Sequence, residues 1–357
     1  MKPSVSSPIP VTLLSGFLGA GKTTVLNELL NHADGLRFAV VENEFGAINI
    51  DSQLISRQRG GIIELTNGCV CCTVNADLVR GLQDLAAQRA SGELSFDWII
   101  IETTGLADPG AVAQTFFAAP ELRDSFMLDG IVVVVDAVHA QQQLDRHGVV
   151  QRQVGFADRL LLAKCDLVDP GTILDLSERL KRINPRAPQQ SLHLGRAEPG
   201  SLLGIGGFNL DTDLLAADVN RHSVARFMPL ATPARSAVRR SRRPAAHGDE
   251  ISSSLLEAGE VDLEKVGTFV QSLIDEFGEE LLRYKGILAI SDERRKLIFQ
   301  GVQRVAGFDY GEDWGAEEAR LSRIVLIGKH LPEARLRAAF LSTAASTSRP
   351  FDADLEA

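Results

Sequence analysis

The stretch VTLLSGFLGAGKTT, residues 11–24, decides the fold class that the sequence predicts. It opens with a short strand pattern and continues as G-x-x-x-x-G-K-[ST], the pattern of a loop that wraps phosphates between a buried strand and a helix. Glycines let backbone N–H groups curl around phosphate oxygens, and the helix N-terminus adds the positive end of its dipole. We therefore expect a nucleoside triphosphate to contact Gly16, Gly19, Ala20, Gly21, Lys22, Thr23 and Thr24.

Two residues of this loop are expected to take part in the chemistry. Lys22 would reach the β- and γ-phosphates, and the Thr23 hydroxyl would bind Mg²⁺. The alternative is a glycine-rich turn that arose by chance, which the flanking strand and helix patterns disfavour.

The chain up to residue 205 alternates strand patterns with helical patterns. Runs such as WIII and IVVVV lack polar alternation, so both faces of these strands should be buried. The alternation predicts an α/β fold, a P-loop NTPase with a doubly wound, mostly parallel sheet. Strands are expected at residues 11–14, 38–41, 98–101, 131–135 and 160–162, and helices at 22–32 and 76–89.

This regularity ends near residue 195, and a smaller α+β domain is expected further on. Asp262 and Gly278 are the predicted caps of an amphipathic helix. Strand-like segments are found near 223–230, 284–290, 296–304 and 321–327, with a helix near 332–341. The predicted division is a phosphate-binding domain over 8–205, a C-terminal domain over 222–341 with a mobile insertion near 232–255, and a disordered tail over 343–357.

Composition narrows the class of protein. The 357 residues suit two domains, and 45% hydrophobic with 24% charged residues is ordinary for a globular chain. The net charge of -10 argues against nucleic acid or an anionic membrane as a partner, and the basic run at 235–243 is interpreted as a solvated linker. The chain shows no signal-peptide pattern and no apolar stretch of about 20 residues. We therefore expect a cytoplasmic protein.

The second motif is WIIIETTG, residues 98–105. An acid that ends a buried strand, with a glycine three residues later, fits the position where P-loop enzymes hold Mg²⁺ through a carboxylate. Glu102 is the predicted acid, and Gly105 could meet the γ-phosphate through its N–H. The alternative is that Glu102 only caps the edge of the sheet.

The third motif is AKCD, residues 163–166, after a predicted strand. The Asp166 carboxylate can accept from both N1–H and N2–H of guanine, while the Lys164 stem packs on the base. Adenine lacks this donor pair, so the motif favours GTP and its product GDP over adenine nucleotides. Ala163 stands where GTPases usually have Asn, Thr or Ser, so the strictness of that preference is open.

The fourth motif is NGCVCCT, residues 67–73. Cys69, Cys71 and Cys72 can give three soft ligands to one metal ion. A redox-sensing thiol cluster and simple packing are the alternatives. Thiolates favour Zn²⁺, with Co²⁺ as a second candidate. The fourth ligand is open between Glu42, a transient thiol and water.

Glu42 begins a fifth motif, ENEFG, residues 42–46, directly after the second predicted strand. Acids at the carboxyl end of a parallel strand face the ligand crevice. They could reach Mg²⁺ or the cysteine-bound metal and so link the two sites. The alternative is that they are solvated loop acids.

Together, GFLGAGKTT, ENEFG, GCVCC, ETTGLADP and KCD resemble the CobW-type GTPases, a P-loop family of metallochaperones and metal-insertion proteins. The resemblance runs from about residue 10 to 170, and the C-terminal region is also similar to that family's second domain. It implies phosphate and Mg²⁺ contacts at Lys22 and Thr23 and base recognition by Lys164 with Asp166. Glu102 would end the second nucleotide motif, and the metal ligands would be Cys69, Cys71 and Cys72. Many relatives carry a His-rich stretch between the domains, whereas here His247 stands alone.

The leading hypothesis is a GTP-driven zinc (or cobalt) chaperone. GTP·Mg²⁺ would order residues 42–46 and 67–73 around one ion, and slow hydrolysis would release that ion to a client metalloprotein. The alternatives are a metal-binding interaction protein whose nucleotide is structural, and a GTPase with a redox switch. The client is not readable from the sequence, and a homodimer is one oligomeric state left open.

Overall fold

The computed structural model describes residues 8–32, 35–43, 57–59, 62–67, 74–122, 124–192, 196, 198, 200, 202–208 and 249–345. The cysteine motif and residues 209–248 lie outside this part of the chain. No helix among the described residues combines the length and the apolar character that crossing a membrane requires.

The first half of the chain forms an α/β layer structure. Its strands are β1 (Ile9–Gly16), β2 (Phe38–Asn43), β3 (Arg57–Arg59), β4 (Ile62–Asn67), β5 (Trp98–Thr103), β6 (Phe126–Asp136), β7 (Arg159–Ala163) and β8 (Gln189–Ser191). Its helices are α1 (Lys22–His32), α2 (Val74–Ser91), α3 (Pro109–Ala118), α4 (Ala140–Arg146), α5 (Gly148–Phe156) and α6 (Pro170–Ile183).

These eight strands form one sheet in the order β3-β4-β2-β5-β1-β6-β7-β8. All neighbours are parallel except the edge pair β3–β4. Helices α2 to α6 cover one face, and α1 covers the other together with Leu202 and Leu203. Every residue of β1 is buried, as expected for a central strand that is covered on both faces. The predicted doubly wound, mostly parallel sheet is confirmed.

The second half forms a separate antiparallel sheet. Its strands are β9 (Ile251–Ala258), β10 (Leu281–Leu288), β11 (Arg295–Val302), β12 (Val305–Asp313) and β13 (Ser322–Lys329), in the order β12-β11-β10-β13-β9. Helices α7 (Leu263–Phe277) and α8 (Glu333–Leu341) pack on one face of it. The Asp262 side chain caps α7 by accepting from the Lys265 N–H at 2.9 Å, and Gly278 ends the helix, as predicted.

Two boundary predictions are wrong in part. The predicted mobile insertion at 232–255 overlaps β9, whose first four residues include the buried side chains of Ile251 and Ser254. The predicted disordered tail at 343–357 begins too early. Thr343 is only 2% exposed and its carbonyl accepts from the Asp262 N–H at 2.9 Å. The strand pattern at 223–230 lies outside the described residues, and the boundary near 205–222 remains a prediction.

The antiparallel sheet packs its other face on helices α3, α5 and α6. Arg283 of β10 forms a 2.5 Å ion pair with Asp158, which precedes β7, and both side chains are buried. Gln151 of α5 accepts from the N–H groups of Glu250 at 2.8 Å and Ile251 at 3.2 Å. Apolar residues of both sheets share one hydrophobic cluster. The two sheets therefore form one packed body rather than two units joined by a linker.

Candidate nucleotide-binding site

The phosphate-binding loop has the geometry that its sequence predicts. It runs from buried Gly16, at the end of β1, to α1. Gly19 and Gly21 have φ values of 72° and 102°, a region of backbone conformation that favours glycine. The loop can therefore turn sharply enough for its N–H groups to face a phosphate at the N-terminus of α1. Ala20 is buried beneath it, whereas Thr24 is exposed on the first turn of the helix.

Lys22 is buried and folds back over the loop. Its ammonium donates to the carbonyl oxygen of Gly16 at 2.9 Å and to that of Phe17 at 3.4 Å. Burial lowers the pKa of Lys22, and the nearby Glu102 carboxylate partly opposes that shift. An ammonium held in this position can pair with phosphate oxygens.

Thr23 and Glu102 come together from two elements. Thr23 is the second residue of α1, Glu102 is near the carboxyl end of β5, and the Thr23 hydroxyl donates to Glu102 Oε1 at 3.2 Å. A hydroxyl and a carboxylate at this separation form the oxygen donor set that suits Mg²⁺. The two residues therefore fit the cation that accompanies a nucleoside triphosphate.

Gly105 lies against the phosphate-binding loop. A Cβ at this position would lie 2.5 Å from the Leu18 nitrogen and 2.7 Å from its Cα, so no larger residue fits without moving the loop. The segment that follows Glu102 thus packs on the loop through backbone atoms. This contact places Gly105 next to the expected position of the terminal phosphate.

The AKCD motif follows β7 at the same edge of the sheet. Lys164 has a φ of 61°, and its ammonium donates to the Gly19 carbonyl and to Asp136 Oδ2, each at 2.8 Å. Asp166 is exposed in a 3₁₀ turn, Cys165–Leu167. The Lys164 side chain therefore connects the AKCD motif to the phosphate-binding loop. Cys165 is half-buried, and its thiol contacts the Leu162 carbonyl at 3.2 Å.

Asp136 is a further candidate site residue, and it belongs to none of the five sequence motifs. It ends β6, is buried, and accepts from Lys164 and from His139 Nδ1 at 3.0 Å. Burial alone would raise the pKa of Asp136, but hydrogen bonds from Lys164 and His139 hold it below the ordinary value. One signal could have identified it: an acid that ends an apolar parallel strand next to β7.

The metal motif is only flanked by described residues. Glu42 pairs in register with Thr66 of β4 on one side and with Glu102 of β5 on the other. Cys69, Cys71 and Cys72 lie outside the described residues, so their geometry stays a prediction. Among the residues that are described, no three His, Cys, Asp or Glu side chains form a group that could hold a metal ion.

Comparison with protein families divides the chain in two. The family described as CobW/HypB/UreG, nucleotide-binding domain, matches residues 10–190. The family described as cobalamin synthesis protein cobW C-terminal domain matches residues 251–344.

Individual relatives match along nearly the whole length. The zinc chaperone YjiA of Escherichia coli (strain K12) is 41% identical over 335 residues, which cover 94% of this chain and 98% of that protein. The zinc chaperone CobW of Pseudomonas aeruginosa is 31% identical, with 92% and 89% covered. The crystal structure of Zn(II)-bound YjiA GTPase from E. coli superposes with a TM-score of 0.75 at 38% identity, covering 95% of this chain and all of that one. The phosphate-binding loop, the sheet that supports it and these matches together place the chain in the CobW/HypB/UreG family, with the C-terminal domain of the cobW type.

Proposed function

We propose that this chain is a zinc chaperone that binds and hydrolyses GTP and passes its metal to a client metalloprotein. The observation that carries the proposal is the alignment of three strand ends. Thr23 and Glu102 meet at 3.2 Å, and Glu42 lies in register beside Glu102. The neighbouring strand β4 ends at Asn67, two residues before Cys69. The relatives named zinc chaperone, and the solved structure named as a Zn(II)-bound GTPase, support the same reading.

In the proposed nucleotide site, Lys22 pairs with the β- and γ-phosphates, and Gly105 donates its N–H to the terminal phosphate. Thr23 and Glu102 would hold Mg²⁺, which would supply neutralisation of the charge that develops on the phosphate oxygens. Neither phosphate motif contains an arginine, so we expect slow hydrolysis when no partner is bound.

In the proposed site, Lys164 and Asp166 recognise guanine. The exposed Asp166 carboxylate can accept from N1–H and N2–H of the base, and the Lys164 stem covers one face of the ring. Ala163 is buried in β7 and provides no polar group, so Asp166 is the main source of base selectivity.

The metal is the cargo, held by the thiolates of Cys69, Cys71 and Cys72 with Glu42 as the proposed fourth ligand. Zn²⁺ matches thiolates and one carboxylate in a tetrahedral site, and Co²⁺ is the second choice. Since Glu42 and Glu102 occupy paired positions on β2 and β5, a change at the Mg²⁺ site can reach the zinc ligands through one strand pair. The proposed coupling is tight zinc binding with GTP and release after hydrolysis.

A competition titration tests the proposal. Zinc is titrated against a calibrated chelator without nucleotide, with GDP·Mg²⁺ and with GTPγS·Mg²⁺, for wild type, Cys71→Ala and Cys165→Ala. We expect at least about tenfold tighter zinc binding with GTPγS than with GDP, which corresponds to about 1.4 kcal/mol of coupling. Cys71→Ala should abolish the effect and Cys165→Ala should retain it.

Equal zinc affinity in all three nucleotide states would contradict the coupling. Measurement of phosphate release from GTP then distinguishes the two remaining hypotheses, a GTPase without coupling and a protein with a structural nucleotide. A chain that holds GTP without turnover, even with zinc present, would instead be a metal-binding interaction protein with a structural nucleotide.

A further inference from the structure

Helix α5 carries two buried glutamines that reach in different directions. Gln153 is 1% exposed and Gln151 is 5% exposed. The Gln153 carboxamide donates both of its N–H groups, to the carbonyl oxygens of Gly105 and Ala107, each at 3.1 Å. Both acceptors belong to the segment that follows Glu102. The proposed function assigns no role to this glutamine.

The geometry fixes how the Gln153 carboxamide is oriented. Two carbonyl oxygens can only be satisfied by the NH₂ end, so Oε1 must point away from Gly105. That oxygen is buried and accepts no hydrogen bond from any described residue. A buried acceptor without a donor costs free energy. The two donated bonds are therefore what holds this side chain in place.

Gly105 is held from the opposite side by the phosphate-binding loop. Its α-carbon packs against Leu18, where a Cβ would lie 2.5 Å from the backbone nitrogen. The loop also contacts the start of α5, since the Phe17 ring stacks on His147 with 4.8 Å between ring centroids. In the proposed nucleotide site, the terminal phosphate binds beside Gly105. Gln153 is the side chain that donates to the Gly105 carbonyl from within the protein.

The same helix is anchored to the antiparallel sheet. Gln151 accepts from the N–H groups of Glu250 and Ile251, at 2.8 and 3.2 Å, where β9 begins. One turn later, Gly155 packs so closely on Leu282 of β10 that a Cβ would lie 2.8 Å from that side chain. A nine-residue helix thus contacts the phosphate segment through Gln153 and the C-terminal sheet through Gln151 and Gly155.

We propose that Gln153 is a positioning residue that sets Gly105 for the terminal phosphate and transmits its presence through α5 to the C-terminal sheet. The inference rests on the proposed GTP binding and hydrolysis. It adds a route by which the nucleotide state reaches β9 and β10, separate from the strand pair that leads to the metal ligands. Arg152, which pairs with Asp108 beside Gln153, would move with the same helix turn.

Variants of the two glutamines in the full chain test this route. Gln153→Leu removes both donors, whereas Gln153→Glu keeps the shape and, when protonated, one donor. Gln151→Leu is the matched control, because it removes a buried glutamine from the same helix without touching Gly105. The measurements are the ratio of GTPγS to GDP affinity, the rate of GTP hydrolysis, and amide hydrogen exchange over residues 250–258 with each nucleotide.

Wild type should show a different exchange rate in β9 with GTPγS than with GDP. In Gln153→Leu, the ratio of GTPγS to GDP affinity and the rate of GTP hydrolysis should each fall at least about tenfold, because the two hydrogen bonds to the Gly105 and Ala107 carbonyls are lost. The affinity for GDP itself should stay within about twofold of wild type. Its exchange difference should disappear, and Gln153→Glu should fall between the two. Gln151→Leu should keep the affinity ratio but lose the exchange difference.

The inference is overturned if both Gln153 variants keep the wild-type affinity ratio and exchange difference while wild type hydrolyses GTP. A wild-type chain that neither binds nor hydrolyses GTP would contradict the proposed function as well. The two failures are therefore distinct.

Discussion

Lys164 donates a 2.8 Å hydrogen bond to the buried carboxylate of Asp136, which joins the AKCD motif to the end of the neighbouring strand. A second bond of the same length, to the Gly19 carbonyl, ties that ammonium to the phosphate-binding loop. The backbone pairing of β6 with β7 brings Asp136 opposite Ala163, directly before this lysine. For the guanine binding proposed above, the lysine is thus already positioned, which would lower the entropy cost of binding.

Asp136→Asn should weaken GTP binding and destabilise the fold. The change removes the buried carboxylate that pairs with the half-exposed Lys164 ammonium, so we expect a loss of about 1–3 kcal/mol in the free energy of unfolding. GTP affinity should fall about tenfold, since Lys164 is no longer fixed. Isothermal titration and urea unfolding measure the two effects. His139→Ala, which removes the exposed partner of the same carboxylate, should have less effect on both.

The ion pair of Asp136 and Lys164 should also make the stability of the fold depend on pH. The pKa of Asp136 is lower in the folded chain than in the unfolded one, so its stabilising effect is complete above the ordinary aspartate pKa of about 4. That effect is lost as the pH falls below this value toward the folded-state pKa. Between pH 3 and pH 7, the free energy of unfolding should therefore change less with pH for Asp136→Asn than for wild type. Parallel curves would contradict the assignment.

Thr23→Ala should raise the Mg²⁺ concentration needed for GTP binding. The variant removes the hydroxyl that lies 3.2 Å from Glu102, and with it one oxygen of the proposed donor set. We expect the requirement to rise at least about tenfold, which corresponds to about 1.4 kcal/mol. Fluorescent GTP titrated with Mg²⁺ measures it. Asn27→Ala, an exposed change on the same helix, should behave as wild type.

Asp166→Asn should change which base is preferred. An amide cannot accept from both guanine donors, but its NH₂ can donate to the second carbonyl oxygen of xanthine. GTP affinity should fall at least about a hundredfold and XTP affinity should rise, because each mispaired polar group costs about 1–3 kcal/mol. Competition of both nucleotides against labelled GDP gives the ratio. If GTP affinity is unchanged, another residue reads the base.

Lys285 should make stability rise with pH. Burial, together with Arg186 and Arg283, lowers the pKa of Lys285 to about 7, and Asp158 only partly opposes this. Between pH 7 and the ordinary lysine pKa, the unfolded chain binds a proton that the folded chain does not. The free energy of unfolding should increase by on the order of 2 kcal/mol from pH 7 to pH 9.

Lys285→Met tests this by comparison of unfolding curves across the same range. The variant should be more stable than wild type at pH 7, because a buried charge is replaced by an apolar chain of similar length. Its free energy of unfolding should no longer increase from pH 7 to pH 9. Lys181→Met, an exposed change on α6, should keep the wild-type slope. A slope retained in Lys285→Met would assign the titration to another group.

Local chemistry explains which parts of the fold could be predicted. The parallel sheet follows from unbroken apolar runs, and α7 from its Asp262 cap and Gly278 end. The sequence does not predict strand β9, because its first half is rich in serine. It is a strand because it pairs with β13, which is distant along the chain. The strand β12 was missed for a similar reason, since its outer half is polar and half-exposed.

The site divides in the same way. Lys22, Thr23 and Glu102 belong to motifs whose spacing carries their chemistry, and the structure brings all three together. Asp136 and Gln153 carry no such spacing. They act through residues about 30 and 50 positions away, so only the packing of β6 on β7 and of α5 on the Gly105 segment identifies them.

The shared packing between the two sheets limits how this architecture can be rearranged. Ile251, Leu282, Val302 and Ile327 of the antiparallel sheet lie in the same core as α5, and Arg283 has its counter-ion Asp158 on the other side. Excised, residues 249–345 would present four apolar side chains and an unpaired guanidinium to water. The C-terminal region is therefore not a portable module, and a chimera between relatives should exchange α5 together with the strands that it supports.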